Sequence, residues 1–296
     1  MKRPENNKPF IKTGWLRAAF YFLAILLGLA GVLFVFLITR SNVSAGTGHM
    51  IPFSLDSDQS DLHKLIFFIL VLAITFVFRQ WIDRKSFMSL GLQINGYIPD
   101  AMAGAALAIF TVGASSLILK GTGHLNWVDI ILDPRALFMS FGSLVLIAVY
   151  EELIFRGYIL INLLDSFPRW IALVISAVLF MIFHWSALGF FPMVNTLVIG
   201  LILGLNVIYT RNLWFPICFH VAWKFLEGPV LGLSGGESQQ SLLIPSMQGN
   251  ENATGGTNGL EGSFIFLVVS LLSLLMLFIF FQKKLNPKSP PVPGRI

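Results

Sequence analysis

Two glutamates, Glu151 and Glu152, stand side by side in the apolar run Leu146-Ile-Ala-Val-Tyr-Glu-Glu-Leu-Ile-Phe-Arg156-Gly157. An ionised carboxylate in hydrocarbon costs several kcal/mol even on lenient insertion scales. Two in succession need a partner, a water-filled cavity or chemistry to offset that cost. On a helix, Glu152 and Arg156 are four apart on one face, with the acid on the N-terminal side, the better order for an ion pair. Glu151 is rotated by about 100° and lacks that partner. Glu152 therefore reads as a strut to Arg156, and Glu151 as a carboxylate free to face a cavity and act as a general base.

Two further apolar segments each carry a histidine. His184 ends the run Phe180-Met-Ile-Phe-His184, and Phe180, one turn earlier, is expected to pack beside the imidazole. His220, Lys224 and Glu227 follow an i, i+4, i+7 spacing and share one helical face. Each feature alone has a plainer reading. The glutamates could simply tie helices together, His184 could end a helix, and the His220 face could line a polar groove. Taken together, a glutamate and two histidines from separate helices can ligate a divalent metal such as zinc, or hold one water for attack on an amide. Either chemistry also needs a positive group for the developing oxyanion. The segments contain no serine elbow, no Gly-rich phosphate loop and no His-Glu-x-x-His run.

Elements able to position these residues must lie in a membrane. Of 296 residues, 55% are hydrophobic and 12% charged, whereas a soluble domain is typically about 25% charged. The mean hydropathy is +0.77. The chain reads as an all-α polytopic membrane helical bundle of about eight transmembrane helices. The segments fall at roughly 16–39, 65–81, 100–119, 136–164, 169–187, 193–209, 216–232 and 263–281. As one helix the fourth would run about 43 Å at 1.5 Å per residue, so its end is expected to emerge into water. Gly200-x-x-x-Gly204 in the sixth has the spacing that lets helices approach closely. Pro216 is placed to open the seventh.

A single integral membrane domain is expected over 1–296. Its core spans 85–230, residues 233–262 form a flexible outer loop rich in Gly, Ser, Asn and Gln, and 282–296 form a basic cytoplasmic tail. The N-terminal leader, the 82–99 connector, the 165–169 turn and the tail are basic, whereas 41–62, 185–192 and 233–262 contain no Lys or Arg. That alternation places both termini in the cytoplasm of a protein expected in the cell membrane. The one cysteine, Cys218, excludes an internal disulfide framework and a cysteine-built metal site. The net charge of +5 sits in loops and termini and does not point to nucleic acid.

These residues resemble the CPBP family of intramembrane proteases, the CAAX prenyl-protease and bacteriocin-processing group also called the Abi family. Its Glu-Glu-x-x-x-Arg motif is matched by Glu151, Glu152 and Arg156, with Phe155 and Gly157 beside them. Its Phe-x-x-x-His motif is matched by Phe180 and His184. The third, His-x-x-x-Asn or Asp, is matched at His220, but Lys224 stands at the Asn position. Leu90-Gly91-Leu92, Gly200, Gly204 and Leu213-Trp214-x-Pro216 add similar context, and the resemblance covers about 85–230. It implies a helical bundle with a membrane-embedded cavity, Glu151 as base on a water, and His184 and His220 orienting that water or joining Glu151 around a divalent metal such as zinc. Arg156 would hold Glu152. The substrate would be a membrane-associated peptide or a prenylated protein in the lipid bilayer.

Lys224 could bind the oxyanion in place of an amide, pair with Glu227 or Glu151, or repel a metal cation. The leading expectation is an endopeptidase that cuts a membrane-associated substrate with glutamate-activated water. A catalytically inactive scaffold, immunity or regulatory protein on the same fold is the alternative, motivated by Lys224. A proton-coupled carrier is a third reading, because intramembrane Glu and His also build proton relays.

Overall fold

The structure is a computed structural model that describes residues 8–47, 57–184, 189–235 and 241–285. Its element order is α1 (Gly14–Thr47), α2 (Ser57–Val77), α3 (Ile98–Gly121), β1 (Leu125–Ile130), α4 (Pro134–Glu152), α5 (Ile161–Leu163), α6 (Arg169–Phe183), α7 (Phe190–Thr210), α8 (Trp214–Phe225), β2 (Leu243–Met247), α9 (Glu251–Thr254) and α10 (Phe264–Leu285). A π-helical stretch, Leu153–Leu160, joins α4 to α5 without a break, and a second, Leu226–Val230, prolongs α8. The architecture is an all-α membrane bundle. Among the described residues, five stretches are long and apolar enough to cross a bilayer: Gly14–Phe36, Lys64–Ile82, Ile98–Gly121, Phe190–Thr210 and Gly256–Lys284. α6 is a shorter apolar helix of 15 residues.

Burial separates the helices by role. α1 and α10 turn large apolar side chains outward, such as Leu27, Phe34, Leu271 and Leu275. That arrangement suits hydrocarbon, which can cover such surface but cannot satisfy backbone polar groups. The stretch Leu153–Leu163 is buried on every side, as expected of a helix at the centre of a bundle. The expected emergence of this segment into water therefore does not occur before Leu163; exposure begins at Asp165 and Ser166. The reason is that α1 packs along it, with Tyr21 stacked on Tyr158 at 4.0 Å.

The close approach expected of Gly200 and Gly204 is realised between α7 and α6. A Cβ on Gly200 would lie 3.1 Å from the Ala177 Cβ, and one on Gly204 would lie 2.5 Å from the Leu173 Cδ1. Small residues here bring α6, which ends at His184, close to α7.

One end of the bundle is closed by a buried ionic knot. Asp83 Oδ1 accepts from Arg17 Nη1 at 3.0 Å and from the Tyr158 hydroxyl at 3.1 Å, and its Oδ2 accepts from Arg79 Nη1 at 2.7 Å. Asp83, Arg17 and Arg79 are all essentially buried. Arg17 and Asp83, which the sequence places among the flanking charges of leader and connector, are instead internal. They join α1, the end of α2 and the central helix.

Two segments read as loops carry structure. Within 120–135, β1 pairs antiparallel with β2 of the 233–262 segment, from Leu125 opposite Met247 to Ile130 opposite Leu243. The rest of that segment holds α9 and the 3-10 turns of Gly256–Gly262. Its glycines mark turns: Gly249, Gly255, Gly256 and Gly259 all have positive φ. Residues 236–240 of this segment, and the tail from 286 onward, lie outside the described residues.

Replacing Asp83 by Ala removes the ion-pair partner of Arg79 and one of the two carboxylates on Arg17, which keeps Asp165 at 2.8 Å. Removing one partner of a buried ion pair costs about 3–5 kcal/mol, so thermal unfolding in detergent should show a marked fall in Tm. An unchanged Tm would mean that the knot does not hold these helices together.

Candidate active site

Glu151 and Glu152 occupy the last turn of α4, where the helix widens into the π stretch. Single wide turns of this kind are rare in helices and frequent at functional sites. The widening leaves the Glu152–Arg156 pair intact. Glu152 Oε1 accepts from Arg156 Nη1 at 3.1 Å, and Arg156 Nη2 donates to the Gly200 carbonyl at 3.2 Å. The guanidinium lies 4.2 Å from the centre of the Phe180 ring, a cation–π contact strengthened by desolvation. One arginine thus links α4, α6 and α7.

His220, on α8, is buried, and its Nδ1 lies 3.0 Å from Glu152 Oε1. His184, at the end of α6, places its Nδ1 2.9 Å from the Phe180 carbonyl. A carbonyl can only accept, so the proton of His184 belongs on Nδ1; the Glu152 carboxylate assigns His220 the same way. Both Nε2 atoms then point at Glu151, with His184 Nε2 3.2 Å and His220 Nε2 3.8 Å from Glu151 Oε2. The 3.2 Å approach is within ion-pair distance but off the hydrogen-bonding direction, which leaves Glu151 Oε2 without a hydrogen bond among the described residues. Two imidazole lone pairs facing an unpartnered carboxylate oxygen repel one another unless a proton, a water or a cation stands between them. The arrangement is built to hold such a species.

Phe180 packs as its spacing predicts, with its ring centre 4.4 Å from that of His184 and 6.3 Å from that of His220. The residues singled out by sequence thus meet, with the exception of Lys224 and Glu227. The Lys224 ammonium is ion-paired with Glu261, lies 3.8 Å from Glu227 Oε2 and sits 4.3 Å from the centre of the Trp223 ring. Two members of this neighbourhood escape the sequence reading. Glu261 sits in what reads as a flexible loop and carries no local signal. Asn195 left a weak one, an amide in an apolar helix; its Nδ2 donates to the carbonyls of Glu261 and Ser263 at 2.6 and 3.1 Å.

The donor set suits a divalent metal chemically. One carboxylate oxygen lacks a hydrogen bond, and two imidazoles have their outer nitrogens fixed by acceptors, the usual support for a ligating histidine. In the present conformation, no group of three or more His, Cys, Asp or Glu side chains is spaced around an ion among the described residues.

The decisive comparison concerns the stretch that carries all three motifs. Residues 133–226 match the family model of the Rce1-like type II CAAX prenyl endopeptidases. The resemblance to CPBP intramembrane proteases drawn from the motifs holds across this stretch. It runs from the start of α4 to the end of α8 and includes Glu151, Glu152, Arg156, His184, His220 and Lys224, while Glu227 and Glu261 lie beyond it. No curated protein matches the chain.

Arg156→Ala would remove the partner of a carboxylate with no exposed surface. A loss of about 3–5 kcal/mol is expected, visible as a lower Tm and a poorer yield of folded protein in detergent. A variant as stable as the parent would show that Glu152 does not depend on Arg156.

Proposed function

We propose that the protein is an intramembrane endopeptidase that hydrolyses a peptide bond of a membrane-associated substrate, with Glu151 activating the attacking water. The observation that supports this reading most directly is the buried Glu151 Oε2, which has no hydrogen bond among the described residues and faces the Nε2 atoms of two histidines. Glu152, by contrast, is committed to Arg156 and His220. The two adjacent carboxylates are thereby given separate tasks, one structural and one open to a reactant.

In this mechanism a water sits against Glu151 Oε2 and is oriented by His184 and His220. Glu151 takes a proton as the water oxygen attacks the scissile carbonyl carbon. The carbonyl π pair moves onto oxygen, and an imidazole in its doubly protonated form would donate from Nε2 to the resulting oxyanion. Collapse of the tetrahedral species breaks the C–N bond, and Glu151 returns its proton to the leaving amine. A divalent cation such as zinc would be held by Glu151, His184 and His220, and would polarise the carbonyl and acidify a bound water. The steps assigned here to the side chains do not require it.

The chemistry of the matched family points to a prenylated CAAX protein as the substrate class. The basic leader, connector and tail support a cell-membrane protein with both termini cytoplasmic. Lys224 at the Asn position favours no role in oxyanion binding as the side chain stands, because its ammonium is occupied by Glu261 and Glu227.

The test is cleavage of membrane-tethered, prenylated peptides in proteoliposomes. Glu151→Gln should lower the rate by about 10²–10⁴, with Tm close to that of the parent. A variant that cleaves at the parental rate would remove Glu151 as the base. If neither protein cleaves any peptide of a broad library, the non-enzymatic reading on this fold takes its place. His184→Ala and His220→Ala should each lower cleavage by about 10² or more, measured in the same vesicles.

A further inference from the structure

Lys224 lies one turn beyond His220 on the same face of α8, so its flexible four-carbon stem starts beside the catalytic cluster. His220, one turn before it, has its Nε2 3.8 Å from Glu151 Oε2. Glu151 Oε2 has no hydrogen bond among the described residues. In a low-dielectric interior the attraction between carboxylate and ammonium is strong, and an ammonium drawn onto Glu151 would displace the water it must activate. Yet among the described residues Lys224 is paired with Glu261 and Glu227, and with Glu151 it forms no ion pair.

Glu261 is held firmly enough to compete. Its own carbonyl accepts from the buried Asn195, and the adjacent Leu260 N–H donates to the Leu233 carbonyl at 2.7 Å. The turn passes through Gly259 at φ 62° and ψ −155°, a conformation essentially confined to glycine. A Cβ there would stand 2.3 Å from the Leu233 carbonyl oxygen. Trp223 supplies a ring beneath the ammonium, and Glu227, only 1% exposed, adds a second carboxylate beside it. Glu261 comes from a segment outside the stretch matched by the family model, and faces the one position where the third motif departs from its pattern.

We propose that Glu261 is a positioning residue: it latches the Lys224 ammonium at the edge of the site and so keeps Glu151 open to water. The role of the latch in cleavage rests on the protease reading above, whereas the latch itself is a statement about which carboxylate Lys224 touches. The two are therefore separable by experiment.

The full-length protein in proteoliposomes is treated with a membrane-permeable carbodiimide, which joins a lysine to a contacting carboxylate, and the amide is located by mass spectrometry. The parent should yield a Lys224–Glu261 crosslink. In Glu261→Gln a Lys224–Glu151 crosslink should appear beside any to Glu227, which stays 3.8 Å from the ammonium, and cleavage should fall by about tenfold or more, because the base is occupied. Glu261→Asp, which keeps the charge, should restore the crosslink at position 261 and most of the cleavage. In a Lys224→Asn background, Glu261→Gln should cause no further loss, an outcome that a merely structural role for Glu261 would not produce.

A crosslink that stays off Glu151 in Glu261→Gln would overturn the proposal. So would a Glu261→Gln defect that persists without Lys224. If no variant cleaves but the crosslink to Glu151 still appears in Glu261→Gln, the latch stands and the protease reading falls.

Discussion

Every ion inside this bundle is governed by one constraint: a charge taken from water must be met by a partner held in place. Desolvation costs several kcal/mol per ion even after relaxation, so a buried charge survives only where geometry supplies its counterpart. The molecule answers this three times. Asp83 is enclosed by Arg17 and Arg79, Glu152 by Arg156 and His220, and Lys224 by Glu261 and Glu227. Each group joins elements far apart in the sequence, so the charges help to dictate which elements must be neighbours. Apolar packing then follows from that choice, with Gly200 and Gly204 admitting α6 closely enough for Phe180 to lie beneath Arg156. Glu151 is the deliberate exception, a carboxylate whose nearest neighbours are imidazoles that can change their protonation.

The division of labour between the paired glutamates depends on a small geometric fact. At an α-helical pitch two consecutive residues point about 100° apart, so Glu152 can be tied inward while Glu151 faces the histidines. The π stretch begins immediately after them. Wide turns accommodate one more residue per hydrogen-bonded ring, yet Arg156 still reaches Glu152, and its second nitrogen reaches Gly200. The site is thus assembled on a stretch of backbone that is regular before the glutamates and widened after them.

Much of this was legible in the residues themselves. Apolar runs announce a helical membrane bundle because no other use of so many Leu, Ile and Phe residues is stable. The Glu152–Arg156 pair follows from spacing, and the packing of Phe180 on His184 from a single turn of helix. What the sequence conceals are contacts made across long separations. Arg17 and Asp83 look like surface charges because nothing local reveals that they meet. Leu125–Ile130 and Leu243–Met247 look like loop because each strand needs a partner more than a hundred residues away. Glu261 lies in a Gly- and Asn-rich stretch whose composition resembles that of a flexible linker, whereas its glycines serve as turn-makers with positive φ.

The placement of Glu261 has a consequence in time as well as in space. A chain is made from its N-terminus, and domains form in that order as synthesis proceeds at about 5–20 residues per second. Glu151, His184 and His220 therefore enter the membrane before the turn that carries Glu261 has been made. Until then Lys224 lacks Glu261 and has only Glu227, from its own helix, beside it. On the proposed latch, a nascent chain would gain the Lys224–Glu261 pair only when the turn before the last helix is in place. The surroundings of Glu151 would in this way be completed last, after the residues that face it.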